Sequence, residues 1–356
     1  MSACERDTPP AHIAGPLLRW FDDHGRHDLP WQHPRSAYRV WVAEIMLQQT
    51  QVVTVVDYFN AFMTRFPDIQ TLAAADNDAV MAHWAGLGYY ARARNLHAAA
   101  KRVVAEHGGR FPTSVEQLMR LPGIGRSTAG AIVAQAFGIW APILDGNAKR
   151  VIARLAAVTE TPGTAAFEKP LWRLAERYTP NRRITDYTQA IMDLGATVCT
   201  RARPQCTRCP LHKDCLAARY DLQPRIPAPR KRKARPQREV TVIVASDDQG
   251  RILLEKRPPS GIWGGLWSLP EQEADLSIVA FCRHRLGIEI EPGARLSPIA
   301  HAFTHFELLI HPQKVQVIGS ARIMDSSLQW YARDRLPGLP APMARVLDTH
   351  QHAFAL

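Results

Sequence analysis

LPGIGRSTAG, residues 121–130, lies between two stretches that read as helix, and the front half of the fold turns on how it is read. Its glycines do not form a dinucleotide fingerprint: the spacing after Gly125 is wrong and no strand precedes it. A helix-hairpin-helix fits better. In that arrangement Gly123 and Gly125 let the backbone approach a DNA phosphate, and amides opening the next helix donate to it. Such contacts hold register on a duplex without reading its sequence. An ordinary helix–helix connection has the same outline, so the turn by itself leaves both open.

Outward from the turn, residues 12–215 read as mostly helical. Segments 37–66 and 185–198 place apolar residues at three- and four-residue spacings without an internal proline, and each predicts a helix. Pro67, Pro112, Pro122 and Pro142 mark the ends of such segments. Segment 216–238 carries four prolines and few large apolar residues, the composition of a stiff linker. Beyond it the period changes. REVTVIVAS (238–246) and RILLEKR (251–257) predict two strands around the turn DDQG, and FELLIHP (306–312) with KVQVIGS (314–320) predict another pair. One helix fits 276–286 and a last one fits 343–351. The back part therefore reads as a small α+β domain.

The length of 356 residues suggests two domains. A composition of 46% hydrophobic and 22% charged residues is that of a globular chain with a sizeable core. No apolar run reaches the length of a membrane span, and the first residues match neither a secretory signal nor a transit peptide. The net charge of +11 is unevenly spread: +6 over residues 1–215, +7 over 216–238 and −2 over 239–356. A basic front and a strongly basic linker point to a polyanion, although an arginine-rich proteome would give a similar excess. The RKRK run at 230–233 could serve as a localisation signal; clamping DNA is the use favoured by its place in the linker.

Four of the six cysteines fall within 17 residues, as C-x6-C-x2-C-x5-C at Cys199, Cys206, Cys209 and Cys215. A zinc ribbon usually shows two separated C-x2-C knuckles, and here there is one. A [4Fe–4S] cluster on four thiolates is favoured over zinc. Arg201, Arg203, Arg208 and Lys213 within the loop could face a phosphate backbone or merely be solvated.

LPGIGRSTAG, then ILDGNAKR (143–150), then the cysteine loop, taken in this order, resemble the endonuclease III-like superfamily of DNA glycosylases. VWVAEIMLQQTQV (40–52) and GLGYYARARNL (86–96) narrow the resemblance to MutY-type adenine DNA glycosylases, and SGIWGGLW (260–267) with AFTHFEL (302–308) is similar to that family's C-terminal Nudix-like module. The resemblance implies an all-α helix-hairpin-helix core over 1–218, with the hairpin at about 112–135 and the iron–sulfur loop at 199–215. It further implies a basic linker over 219–238 and an α+β Nudix-like domain over 239–356 that recognises 8-oxoguanine. The implied activity is removal of adenine opposite 8-oxoguanine or guanine in double-stranded DNA, without backbone cleavage. A monomer in a bacterial cytoplasm, with no membrane association, is the expected setting.

Breaking the bond between adenine and its sugar needs an acid for a poor leaving group and an anion facing an oxocarbenium-like sugar. Glu44, among Val42, Ala43, Ile45, Met46 and Leu47, is the acid candidate: desolvation would keep it protonated. The resemblance gives it adenine N7 as its target. Asp145 is the carboxylate candidate and also reads as a helix N-cap. Asn147 would orient the same site. Ser127 stands where related bifunctional glycosylases carry the lysine that forms a Schiff base, so strand cleavage by that route is not expected. Gln48, Gln49 and Tyr89 match positions at the DNA stack, and Gln189 matches one that contacts the extruded adenine. Phe303, Thr304 and His305 match the loop that senses 8-oxoguanine, with Thr304 where serine is common. Segment 271–291 lacks the acidic run a Nudix hydrolase needs for Mg²⁺, so nucleotide pyrophosphohydrolysis is rejected. Two other readings stay in view: a glycosylase/lyase for oxidised pyrimidines, opposed by Ser127, and a non-catalytic damage-sensing protein, opposed by the presence of both carboxyls.

Overall fold

The computed structural model describes residues 8–229, 234–273, 275–318, 323 and 325–349. The RKRK run and the predicted element ends at 319–320 and 350–351 lie outside them. Contacts divide the chain into two compact units: one formed by residues up to Ala74 and from Ala98 to the linker, the other by Ala75–His97 with the chain beyond the linker.

The chain up to the linker is helical: α1 (Ala14–His24), α2 (Ala37–Leu47), α3 (Val52–Arg65), α4 (Ile69–Ala74), α5 (Asn77–Ala82), α6 (Ala91–His107), α7 (Val115–Leu118), α8 (Arg126–Phe137), α9 (Gly146–Leu155), α10 (Ala165–Tyr178), α11 (Ile184–Asp193) and α12 (Leu216–Arg219). Several starts carry a side-chain cap that satisfies an orphan N–H: Ser36 for α2, Ser114 for α7, Asp145 for α9 and Thr164 for α10. Segment 37–66 is two helices rather than one. The break falls at Gln48–Gln51, where Gln49 takes φ 59°, a left-handed conformation uncommon for a residue with a side chain. Segment 185–198 likewise ends its α-helix at Asp193 and widens into a π-turn, Leu194–Val198. The apolar faces of α1, α9, α10 and α11 close on one core with Leu17, Phe21, Val151, Phe167, Leu171 and Ile191 inside. Helix α8 packs on α2, α7 and α11.

The C-terminal unit is built on a mixed sheet of β1 (Gln237–Ser246), β2 (Ile252–Lys256), β3 (Trp267–Ser268), β4 (Glu289–Arg295), β5 (Ile299–Ala302), β6 (Glu307–Ile318) and β7 (Leu328–Tyr331), with short helices α13 (Ile278–Phe281) and α14 (Ala341–Thr349). The main path runs β3-β2-β1-β6-β4; β5 pairs with β6 and β7 with β2. Strands β1 and β6 are parallel over Gln237↔Glu307 to Ser246↔Gln316. The predicted pair at 306–320 is thus one continuous strand through Pro312. Proline is tolerated there because Pro312 falls between Ile310, the last residue paired with β5, and Gln313, the first paired with β4. Ile243, Leu253, Phe281, Leu286 and Val315 form the core on one face. A helical front and an α+β back are as the sequence predicts.

Candidate functional site

Residues from three helix ends converge on the carboxyls. Glu44 sits in the last turns of α2, and its helix neighbours Val42, Ala43, Ile45 and Met46 are buried. Its Oε1 accepts a hydrogen bond from Gln135 Nε2 of α8 at 3.0 Å. Burial first, and then the charge of Asp145, push the Glu44 carboxyl up to about 8, against a smaller downward pull from Gln135. At neutral pH Glu44 is therefore mostly a neutral acid with a proton to give.

Asp145 caps α9: its Oδ1 accepts from the Ala148 N–H at 2.8 Å. Burial raises this carboxyl, and the hydrogen bonds from Ala148 and Asn147, with the Arg150 charge nearby, pull against that rise. Donors and a cation favour the anion, so of the two coupled carboxyls Asp145 is the one suited to remain charged and Glu44 the one suited to hold the proton. The N-cap and carboxylate readings of Asp145 are thus compatible. Next to it, the Ser127 hydroxyl accepts the Leu144 N–H at 3.0 Å, tying the start of α8 to the segment that carries Asp145. Lys149 is engaged elsewhere, by Glu168 at 2.8 Å.

Asn147 is held from two sides. Its Oδ1 accepts from Arg150 Nη2 at 2.8 Å, and a Cβ added at Gly195 would lie 2.6 Å from its own Cβ. The π-turn therefore needs glycine to reach α9. Gly195→Ala is expected to lower the rate of the reaction at this site at least about tenfold and to lower stability by roughly 1–3 kcal/mol, an overpacking cost. Rate and urea midpoint measured on the same preparation check this.

The hairpin runs from α7 through Leu121 to α8. Gly123 has φ 77°, which a side chain would oppose, and Gly125 precedes α8 with no side-chain cap and open space where its Cβ would be. The first amides of α8 are thus available to an anion.

Gln48, four residues after Glu44, is the C-cap of α2, and its Nε2 reaches Thr128 Oγ1 at 3.4 Å. Gln49 is exposed on left-handed backbone. Tyr89 has φ 49° and is 47% exposed, so it is no core aromatic. A bulky residue strained and held outward in this way is the kind of feature that clusters at functional sites. Gln189 is buried in α11.

In the C-terminal unit, Phe303–Phe306 is a tight loop joining β5 to β6, closed by the Phe303 N–H to Phe306 carbonyl bond of 2.9 Å. Phe303 stacks on the buried Phe306 with centroids 4.5 Å apart and meets Trp263 and His301. Thr304 and His305 are exposed at the tip. Trp263 is buried.

Cys199, Cys206, Cys209 and Cys215 line one small cavity of about 20 Å³ together with Arg154, Gln205 and Gln223. Among the described residues no three His, Cys, Asp or Glu side chains come close enough to share a single metal ion. Arg154, a buried residue of α9, donates to Cys199 Sγ at 3.4 Å and to the Thr200 carbonyl at 2.7 Å; Arg150 donates to the Cys199 carbonyl at 2.7 Å.

Sequence reading passed over Gln135, Arg150 and Arg154. Gln135 left one trace, a lone amide in the apolar run AIVAQAF (131–137). The arginines left none, since basic residues on a helix are usually solvated.

A model of the HhH-GPD superfamily of base excision DNA repair proteins matches residues 42–177, and a NUDIX domain model matches residues 240–349. The structure of a thermostable thymine-DNA glycosylase aligns with TM-score 0.52 and 27% identity, covering 58% of this chain and 95% of that one. An endonuclease III–DNA complex aligns with TM-score 0.50 at 21% identity, which speaks for the fold alone. Fold and site together define a helix-hairpin-helix DNA glycosylase carrying a Nudix domain. The adenine DNA glycosylase of Buchnera aphidicola subsp. Schizaphis graminum is 34% identical over 337 residues, 93% of this chain and 96% of its own length. The human adenine DNA glycosylase is 36% identical over 356 residues, 83% of this chain and 65% of that one. The chain belongs to the adenine DNA glycosylase family, enzymes of base excision repair. No helix among the described residues is long and apolar enough to cross a membrane.

Proposed function

We propose that this protein is a monofunctional glycosylase that removes adenine opposite 8-oxoguanine, or guanine, in duplex DNA. The observation that carries this reading is a carboxyl pushed up to about 8, Glu44, electrostatically coupled to a second carboxyl, Asp145, which burial also raises but which hydrogen bonds from Ala148 and Asn147 and the Arg150 charge pull back toward its anion. Glu44 gives its proton to adenine N7, and the C1′–N9 bond breaks with its electron pair passing to the base. The Asp145 carboxylate faces the cationic sugar, and Asn147, locked between Arg150 and Gly195, keeps that geometry. Water then adds at C1′ and loses a proton, leaving free adenine and an abasic site. Ser127 stands in the hairpin where a Schiff-base lysine would be needed, and Lys149 is paired to Glu168, so the backbone stays intact.

The duplex is held by the hairpin amides after Gly123 and Gly125. Gln48, Gln49 and Tyr89 engage the stack once the base is flipped, a step costing roughly a few kcal/mol. Gln189 meets the extruded adenine. Phe303, Thr304 and His305 read 8-oxoguanine: the loop projects a hydroxyl and an imidazole from an aromatic base.

The four cysteines would hold a [4Fe–4S] cluster. The donor set supports this, since four thiols line one cavity. When bound, the cluster ties the 199–215 loop, with its basic side chains, into one rigid surface against the phosphates. Domains of 1–218 and 239–356 about a DNA-clamping linker, a monomeric state and a bacterial cytoplasmic setting complete the proposal. Single-turnover rates on adenine opposite 8-oxoguanine, guanine and thymine test it: release opposite the first two and not the third is expected, and equal release from all three would contradict the mispair reading.

A further inference from the structure

Gln189 sits one turn before Asp193 on α11, and both are buried. The Asp193 carboxylate collects four donors. Arg26, from the chain 167 residues earlier, gives its backbone N–H to Oδ2 at 2.8 Å, and its Nε and Nη2 to Oδ1 at 2.9 and 2.6 Å. The fourth is Gln189 Nε2, to the same Oδ1 at 2.8 Å. The Arg26 side chain is 26% exposed and that of Asp193 1%, so this is an ion pair largely shielded from water.

A carboxylate paired with a guanidinium can only accept. It therefore fixes which end of the neighbouring amide faces it: the NH2 of Gln189 must turn to Asp193, and the carbonyl must turn away. That carbonyl, Gln189 Oε1, is buried and has no hydrogen-bond partner among the described residues. A buried acceptor without a donor is unfavourable, and it becomes satisfied when a ligand brings an N–H to it.

We infer that Arg26 and Asp193 are positioning residues that set the adenine specificity of the site, by holding the Gln189 amide so that only an acceptor is offered to the base. The inference rests on the proposed contact of Gln189 with the extruded adenine. A 6-aminopurine brings the N–H that Oε1 lacks. A 6-oxopurine, hypoxanthine or guanine, brings a second carbonyl, and two acceptors meet at a buried atom. Discrimination by a polar group that would be left unpaired is stronger than discrimination by shape. Neither Arg26 nor Asp193 need touch the base for this.

Single-turnover release of adenine, unsubstituted purine and hypoxanthine, each opposite 8-oxoguanine, tests the inference on the unaltered protein and on two variants. The unaltered protein is expected to release adenine faster than purine and purine faster than hypoxanthine. In Asp193→Asn, the new amide can turn its own NH2 on Gln189 and reverse that side chain. In Arg26→Met, the carboxylate loses the guanidinium that pins it, and the Gln189 amide is free to turn. Each variant is expected to lower the adenine-to-hypoxanthine rate ratio by about ten- to a hundredfold. A purely structural role would slow all three substrates in proportion. Unchanged ratios in whichever variant folds, or equal release of adenine and hypoxanthine by the unaltered protein, would overturn the inference while leaving adenine glycosylase activity standing. If the unaltered protein released no base at all, the functional reading would fall first and take the inference with it.

Discussion

Glu44→Gln is expected to lower adenine release by roughly 10³–10⁴-fold while duplex binding is kept, because the substitution removes the proton and little else. A glutamine at 44 keeps the volume of the side chain and an oxygen for Gln135 Nε2. The same change is expected to stabilise the fold at neutral and alkaline pH. Glu44 is raised in the folded protein from an ordinary 4.5 to about 8. At pH 4 it is protonated folded or unfolded and contributes no difference. As pH rises through 4.5 the unfolded chain gives up this proton and the folded one does not, so stability falls until about pH 8. The glutamine variant escapes that loss, on the order of a few kcal/mol. Melting temperatures of the two proteins should coincide near pH 4 and separate in the variant's favour by pH 8. The pH–rate profile carries the same signature: release by the unaltered protein is expected to decline above about pH 8, and a profile rising through pH 9 would remove Glu44 from the role of acid.

Asp145→Asn is the second large effect. Asparagine is as good an N-cap as aspartate, so the bond to the Ala148 N–H and the start of α9 should survive. What is lost is the negative charge facing the sugar. In a site shielded from water, one preorganised electrostatic group is worth about 10²–10³ in rate, and that is the expected decrease. Urea midpoint and duplex affinity should change little. A variant that lost stability and activity together would show that Asp145 acts as a cap alone.

How legible this site was depends on the distance over which each residue works. The hairpin, the cysteine loop and the Asp145 cap are local devices, written in consecutive residues with fixed chemistry. Glu44 stood out because an ionisable group lay among apolar neighbours. The break in segment 37–66 has a tertiary reason: nothing between Ala37 and Phe66 breaks a helix, yet the chain turns at Gln49 and α2 ends at Gln48, whose side chain reaches Thr128 of α8. Strand β6 was read as two for the opposite reason. Pro312 is a local breaker, and only the handover from β5 to β4 beside it makes a continuous strand possible. Arg26 with Asp193, and Arg154 with the Cys199 sulfur, join residues far apart in sequence. No window of sequence contains both partners of either pair.

The central claim is base removal by an acid and a carboxylate without strand cleavage, and one assay reaches it directly. A duplex with a single adenine opposite 8-oxoguanine, end-labelled on the adenine strand, is incubated with excess protein, and half of each sample is then treated with hot alkali. Strand breaks in the alkali-treated half alone are the predicted result, since alkali cleaves at the abasic site that the enzyme leaves intact. Equal breakage in the untreated half would contradict the account and move attention to an amine such as Lys149.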